Sequence, residues 1–297
     1  MEHFLVDTSA HVIRGANAGR RKATCEDRAD ATDELVLVLD GASSLPDAPR
    51  FLKDRMSAGE YAAKVVEASL QISMLSSPEG SAGDLLCEAN KLLASRIAGE
   101  CKNQNREAFA KHHRPVTAAA LVRVHDDGTY SWAIAGDCQI IVYDNDGNYM
   151  PLRKNYAGEP LEAERQALRK DIEQAEGCSV DMSHPVLKKL YEDRVKYHNT
   201  VFPVLNGESA FDDFMQRPEW AGTGSMDNVA GFIAYTDGAI WPHFDALDVD
   251  SLATTVVDEG VETYLAELLH ELEKKPFHDD IAIAVGSVVH PTEELSK

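Results

Sequence analysis

Apolar residues along this chain follow two rhythms. Short unbroken runs, such as LVLVLD at 35–40 and VAGFIAYTD at 229–237, are the mark of strands covered on both faces. Elsewhere the apolar positions recur every three or four residues, the spacing of a helix with one buried side. Tyr61, Ala62, Val65, Val66, Ala68 and Ile72 form one such stripe within 58–75, and Leu85, Leu86, Ala89, Leu92, Leu93 and Ile97 form the next. Both stripes predict helices laid on a sheet. Further strands are expected at 4–14 and, between 116 and 144, in VTAAALVRV, TYSWAIAGD and QIIVYDNDG, with Asp127-Gly128 and Asp146-Gly147 as hairpin turns. A helix around Val261, Tyr264, Leu265, Leu268, Leu269 and Leu272 then precedes a last strand, DIAIAVGSVV. This order of elements predicts one α/β domain with mostly antiparallel pairing.

Residues 151–220 break the rhythm. EPLEAERQALRKDIEQAE and HPVLKKLYEDRVKYHN are charged and helical in flavour, with too little apolar material for a core of their own. The expectation is a single domain over 1–297 carrying a charged, flap-like insertion at about 151–220. Overall charge sharpens the picture: 29 basic against 50 acidic residues give a formal net charge of −21. Such a surface repels nucleic acid and anionic membranes, so neither is an expected partner. No apolar run is long enough for a membrane span, and the N-terminal MEHFLVDTSAHVIRG lacks the regions of a signal peptide. Five scattered cysteines without a C-x-x-C pair read as reduced thiols, which favours a cytoplasmic setting.

The candidate chemistry sits where apolar runs stop. Asp40, Asp137 and Asp237 each end a predicted strand, and Asp279 precedes one. Singly, each reads as a turn or cap residue. Together, if adjacent strands bring these ends to one place, they form a carboxylate cluster of the kind that holds a hard divalent cation. Glu26-Asp27 adds a further acidic pair, preceded by Arg20, Arg21 and Lys22, a cationic run suited to an anionic group such as a phosphoryl or simply to solvent. Nothing in the chain matches G-x-S-x-G, H-E-x-x-H or a P-loop, and the eleven histidines show no ligand spacing. His112, His113 and His278 are the only histidines near these motifs, His278 being the best placed to move a proton. Cys25 and Cys138 neighbour the acids and read first as packing residues.

Taken in order, CEDR, LVLVLDGA, VTAAAL with AIAGDCQ, AYTDGAIW and HDDIAIAV resemble the metal-dependent Ser/Thr protein phosphatases of type 2C, the PPM family. The resemblance runs from about residue 10 to 289. It implies an α+β fold, a four-layer α-β-β-α sandwich of two mostly antiparallel sheets flanked by helices. It also implies Mg²⁺ or Mn²⁺, two ions with a third in the manner of bacterial members. On that resemblance Asp27, Asp40, Asp237 and Asp279 would be metal ligands, Asp40 bridging two ions and Gly41 adding its carbonyl. Asp137 would help Asp237 hold the third, Glu26 would orient a water, Asp280 would support Asp279, and Thr117 would be structural. Arg21 and Lys22 would grip phosphate, with Lys22 standing where the family often has Arg. Ala42 and Ser43 replace the residues that commonly follow the first Asp-Gly, so a general-acid His is missing there. Cys138 and Gln139 replace Ser-Arg after Asp137. The chain is therefore expected to be a divergent member.

The implied reaction is hydrolysis of phosphomonoesters by a water activated between metals, with no covalent phosphoenzyme. Unaided, that reaction is so slow that an enzyme must lower its barrier by on the order of 20 kcal/mol. Phosphoserine or phosphothreonine in a protein is the expected substrate. A small phosphorylated metabolite, or a non-catalytic binding role for the fold, are the alternatives the residues leave open.

Overall fold

A computed structural model describes residues 4–17, 20–21, 24–42, 49–52, 56–104, 107–153, 185–240, 249–273 and 279–289. Two five-stranded antiparallel sheets form its centre. The first has the order β10-β7-β6-β5-β4, from Ala221–Ser225, Thr129–Ala135, Thr117–Val124, Leu35–Gly41 and Arg28–Ala31. The second has the order β1-β12-β11-β8-β9, from Phe4–Ile13, Ile281–Val289, Val229–Tyr235, Gln139–Asp144 and Tyr149–Pro151. A two-residue ribbon pairs β2, Ala16–Asn17, with β3, Arg20–Arg21.

Side-chain alternation along each central strand builds the layers. In β5, Val36 and Val38 face the other sheet beside Ala282, Ala284 and Phe232, whereas Leu35, Leu37 and Leu39 face outward against helices. Those helices are α1, Ala58–Ser76, and α2, Ala82–Asn103. The opposite sheet does the same: Ile281, Ile283 and Val285 of β12 pack on α5, Val249–Glu259, and α6, Val261–Leu272. The result is the four-layer α-β-β-α sandwich. Unbroken apolar runs arise because these strands are covered on both faces.

Three differences from the sequence reading have physical causes. Ala68 and Ile72 are exposed on α1, whose buried side runs through Ala62, Ala63, Val66, Ser69 and Leu70 instead. Small residues take the sheet-facing stripe because the helix lies close to it. Strands β4 and β10, RADA and AGTGS, carry no apolar alternation; both are edge strands set by hydrogen bonds to β5 and β7. Within the charged region, α3 spans Pro185–Tyr197, but Leu205, Phe211, Phe214, Met215 and Trp220 join the core against α2. The second half of 151–220 is thus integral to the first helix layer, with Phe211 and Phe214 on a short helix α4, Ala210–Met215. The stretch EPLEAERQALRKDIEQAE, residues 159–176, lies outside the described residues.

A buried amide network ties this stretch down. Asn90 Oδ1 on α2 accepts from the backbone N–H of Asn206 at 3.1 Å and of Gly207 at 2.8 Å, and its amide donates to the Glu208 carbonyl. Gly207, at φ +77°, lies so close to α2 that a Cβ would fall 2.7 Å from Ala94 Cα.

Candidate metal centre

The end of the sandwich where β5, β11 and the β7–β8 turn terminate carries the acids. Asp40 is the penultimate residue of β5, paired with Ala118 of β6. The Thr117 hydroxyl, fully buried, donates to the Asp40 carbonyl at 2.9 Å and fixes the strand end. The next residue has to be Gly41. A Cβ there would lie 2.6 Å from the Glu26 carbonyl oxygen and 2.8 Å from the Gly59 backbone. Strand end, Glu26 loop and the first turn of α1 therefore meet backbone to backbone.

The start of α1 is locked to the Glu26 loop by one side chain. Ser57 caps the helix by accepting from the Glu60 N–H at 3.1 Å, and its hydroxyl donates to Glu26 Oε1. The helix N-terminus, with its partial positive charge, faces this acidic region. Asp280 holds the loop from the other side: its carboxylate accepts from the backbone N–H of Gly15 at 2.6 Å and of Glu26 at 2.7 Å. It is 3% exposed, whereas its neighbour Asp279 is exposed and accepts from the Asp280 N–H at 2.9 Å. Two adjacent aspartates thus do different work, one tethering backbone and one sitting at the rim.

Asp137 follows Gly136, whose φ of +72° takes the chain from one sheet to the other. Arg153 Nη1 donates to the Gly136 carbonyl at 2.9 Å, and its guanidinium stacks 3.8 Å from the centroid of a Trp220 ring. Asp237 opens a 3-10 turn after β11, Asp237–Ala239. That turn is held by Thr236, bonded to Ala282 from both its N–H and its side chain, and by the buried Tyr264 hydroxyl, which donates to the Ala239 carbonyl at 2.8 Å.

These supports bring carboxylate oxygens of Asp40, Asp137 and Asp237 within 4.8 Å of one another, all half-buried. Asp27 lies deeper, 1% exposed, and its Oδ2 has no hydrogen-bond partner among the described residues. Burial, then the charges of Asp40, Asp279 and Asp280, drive its carboxyl well above the ordinary value near 3.8, against a hydrogen bond from Thr236. Cys138, fully buried, has its thiol pushed well up by the same burial and by Asp40, Asp137, Asp27 and Asp237. The nearby Arg28 does not neutralise the cluster directly. Its Nη1 donates to the Cys25 and Asp27 carbonyls, and the guanidinium lies 3.9 Å from Glu60 and Glu67.

Like-charged carboxylates packed this closely are costly without a cation between them. An orphaned buried carboxylate oxygen and an all-oxygen donor set fit a hard divalent ion such as Mg²⁺ or Mn²⁺. Asp27, its pKa raised in part by the charges of Asp40 and Asp279, and Asp279 itself stand outside the mutual 4.8 Å group. Arg21 lies in the β2–β3 ribbon, and Lys22 and His278 fall outside the described residues. His112 and His113 pack against Tyr191 of α3, at ring distances of 4.4 and 5.8 Å, and have no part in the acidic cluster. Ser57, Thr236 and Arg153 were not singled out from sequence. Ser57 could have been found from its capping spacing to Glu60; the other two act across long sequence separations.

This four-layer sandwich, with acids collected at one end of its paired sheets, is the fold of the PPM-type Ser/Thr phosphatases. It is similar to the catalytic domain of the serine/threonine protein phosphatase PstP in complex with two manganese ions, with 16% identity, a TM-score of 0.57, and coverage of 97% of this chain and 100% of that one. It is likewise similar to the PPM Ser-Thr phosphatase MsPP from Mycobacterium smegmatis in complex with cacodylate, with 14% identity, a TM-score of 0.54, and coverage of 95% and 98%. RsbX in complex with magnesium matches over 96% of this chain and 98% of its own, with 12% identity and a TM-score of 0.50. No protein-family model and no curated protein sequence matches the chain. No helix among the described residues is long and apolar enough to cross a membrane.

Proposed function

We propose that this chain is a divergent PPM-type phosphatase that hydrolyses phosphomonoesters with the help of Mg²⁺ or Mn²⁺, its substrates being phosphoserine and phosphothreonine in proteins. One observation carries the reading: the convergence of Asp40, Asp137 and Asp237 beside the buried carboxylate oxygen of Asp27 that has no partner among the described residues. In this reading Asp27, Asp40, Asp237 and Asp279 hold two ions with the Gly41 carbonyl, and Asp137 with Asp237 holds a third. The ions, when bound, supply Lewis acidity toward water and the phosphoryl oxygens.

The chain's own residues do the positioning. Ser57 fixes the Glu26 carboxylate, the group proposed to orient a water. Asp280 holds the Gly15 and Glu26 backbones and thereby sets the Asp27 loop. Thr117 and Thr236 hold the ends of β5 and β11 rigid, so the ligand carboxylates need little reorganisation on binding. Arg21 and Lys22, close in sequence to Asp27, are assigned to the substrate phosphate, Lys22 as a point charge. We read 1–297 as one catalytic domain, acting in a reducing compartment, which suits the free Cys25, Cys87, Cys101 and Cys138.

The test is hydrolysis of p-nitrophenyl phosphate by the purified protein with Mn²⁺ or Mg²⁺, against EDTA, beside Asp237→Asn. Metal-dependent turnover reduced by about a hundredfold or more in the variant is expected. A folded protein inactive with either ion, or a variant as active as the parent, would refute the proposal.

A further inference from the structure

At the opposite end of α1 from the acids lies a second concavity, an open groove of about 900 Å³ between α1, the start of β5 and the β6–β7 hairpin. From Gly59, which abuts Gly41, to Leu75 at the groove is about 24 Å along the helix. The groove is therefore separate from the candidate metal centre.

Its lining combines two features that oppose each other on a solvent-facing surface. Leu70, Met74 and Leu75 give it an apolar wall, with Leu75 88% exposed. Ile72 on the same helix is 62% exposed. Around this wall stand Asp30, Asp33, Glu34, Glu79, Asp126 and Asp127. Their only cationic counterpart among the lining residues is Arg123, and it is 2% exposed. Arg123 is occupied with its own chain: Nη1 donates to the Ser77 and Gly80 carbonyls, and Nη2 donates to Pro78 and lies 3.8 Å from the Glu34 carboxylate. Burial and the charge of Arg123 lower the pKa of His125 from its ordinary value.

An exposed leucine is unremarkable alone, but a concave apolar wall ringed by one sign of charge selects its partner. We propose that this groove docks a basic segment of another protein, an extended or helical stretch in which lysine and arginine flank an apolar anchor. The anchor covers Leu75 and Met74, and the cations meet the rim carboxylates. Docking here does not depend on whether the acidic centre turns over phosphomonoesters.

The experiment is fluorescence anisotropy in EDTA with the full chain and a labelled dodecapeptide of two leucines flanked by lysine and arginine. Three variants keep the result interpretable, each checked for an unchanged thermal transition. Reversing three rim charges, Asp33→Lys with Glu79→Lys and Asp126→Lys, should weaken binding by about tenfold or more. Leu75→Ser should weaken it by about fivefold. Reversing three exposed acids on the far helix layer, Asp258→Lys with Glu259→Lys and Glu267→Lys, should change it by less than about twofold. The proposal is overturned by absence of saturable binding, or by equal weakening from the two triple variants. It is also overturned if a leucine-free peptide of the same charge binds as tightly, since the site would then be a general polycation surface.

Discussion

Replacing Asp27 by Asn separates what the acidic centre does to the fold from what it does for an ion. In the metal-free protein Asp27 is a buried carboxylate with one oxygen unpartnered among the described residues, facing the charges of Asp40, Asp279 and Asp280. Asn has nearly the same shape, carries no charge, and can donate to a neighbouring carboxylate. Relieving one unsatisfied buried polar atom is worth about 1–3 kcal/mol, so Asp27→Asn should stabilise the metal-free chain by that amount. For a chain of this size that is a rise in Tm of about 2 °C per kcal/mol.

The sign should reverse with Mn²⁺. An ion at a hundred times its Kd stabilises the parent by about 2.7 kcal/mol, and the variant, lacking a ligand, should gain much less. The pH dependence gives an independent check. In EDTA the unfolded chain loses the Asp27 proton near the ordinary value, while the folded chain holds it well above. The parent therefore loses stability as pH rises above about 4, and the Asn variant should lack that part of the slope. Urea or thermal unfolding in EDTA and in Mn²⁺, from pH 4.5 to 7.5, measures all three effects. A variant less stable than the parent in EDTA, or one that gains as much from Mn²⁺, would refute the assignment of Asp27 as a ligand held ready for a cation.

Other outcomes follow from single contacts. Gly41→Ala should destabilise the fold by about 1–3 kcal/mol in urea unfolding, because its Cβ has only backbone to displace. Ser57→Ala removes a helix cap and the Glu26 tether together; a loss of about 1 kcal/mol is expected, with an accompanying fall in metal-dependent turnover that Ser57→Thr restores. Asn90→Ala leaves two buried backbone N–H groups without an acceptor and should cost about 2–4 kcal/mol. Cys138 should resist iodoacetamide in the native protein while half-buried Cys25 reacts faster, which mass spectrometry of the labelled chain can follow.

The strands that carry the acids were legible because both their faces are buried: LVLVLD, VAGFIAY and IAIAV need no partner to be recognised. The aspartates at their ends, Asp40, Asp237 and Asp279, were legible for the same reason, as acids bounding an apolar run. The edge strands RADA and AGTGS were not, since hydrogen bonds to β5 and β7 define them and their own side chains do not. The stretch around Phe211, Phe214 and Trp220 read as part of a charged insertion, because its apolar residues have no local period and are gathered by α2 from far along the chain.

Sequence by itself therefore indicated the class of fold, helices laid on a sheet and a set of candidate oxygen donors. Only the tertiary structure decided which donors meet. Asp279 and Asp280 are adjacent in sequence and equivalent in chemistry, yet one lies at the rim and the other is spent on the backbone of Gly15 and Glu26. Asp40, Asp137 and Asp237 are spread over nearly two hundred positions and reach within 4.8 Å of one another. The physical reason is that local pattern reports how each segment is solvated, whereas proximity between segments is set by the register of β5 on β6, the turn at Gly136 and the close backbone contact at Gly41.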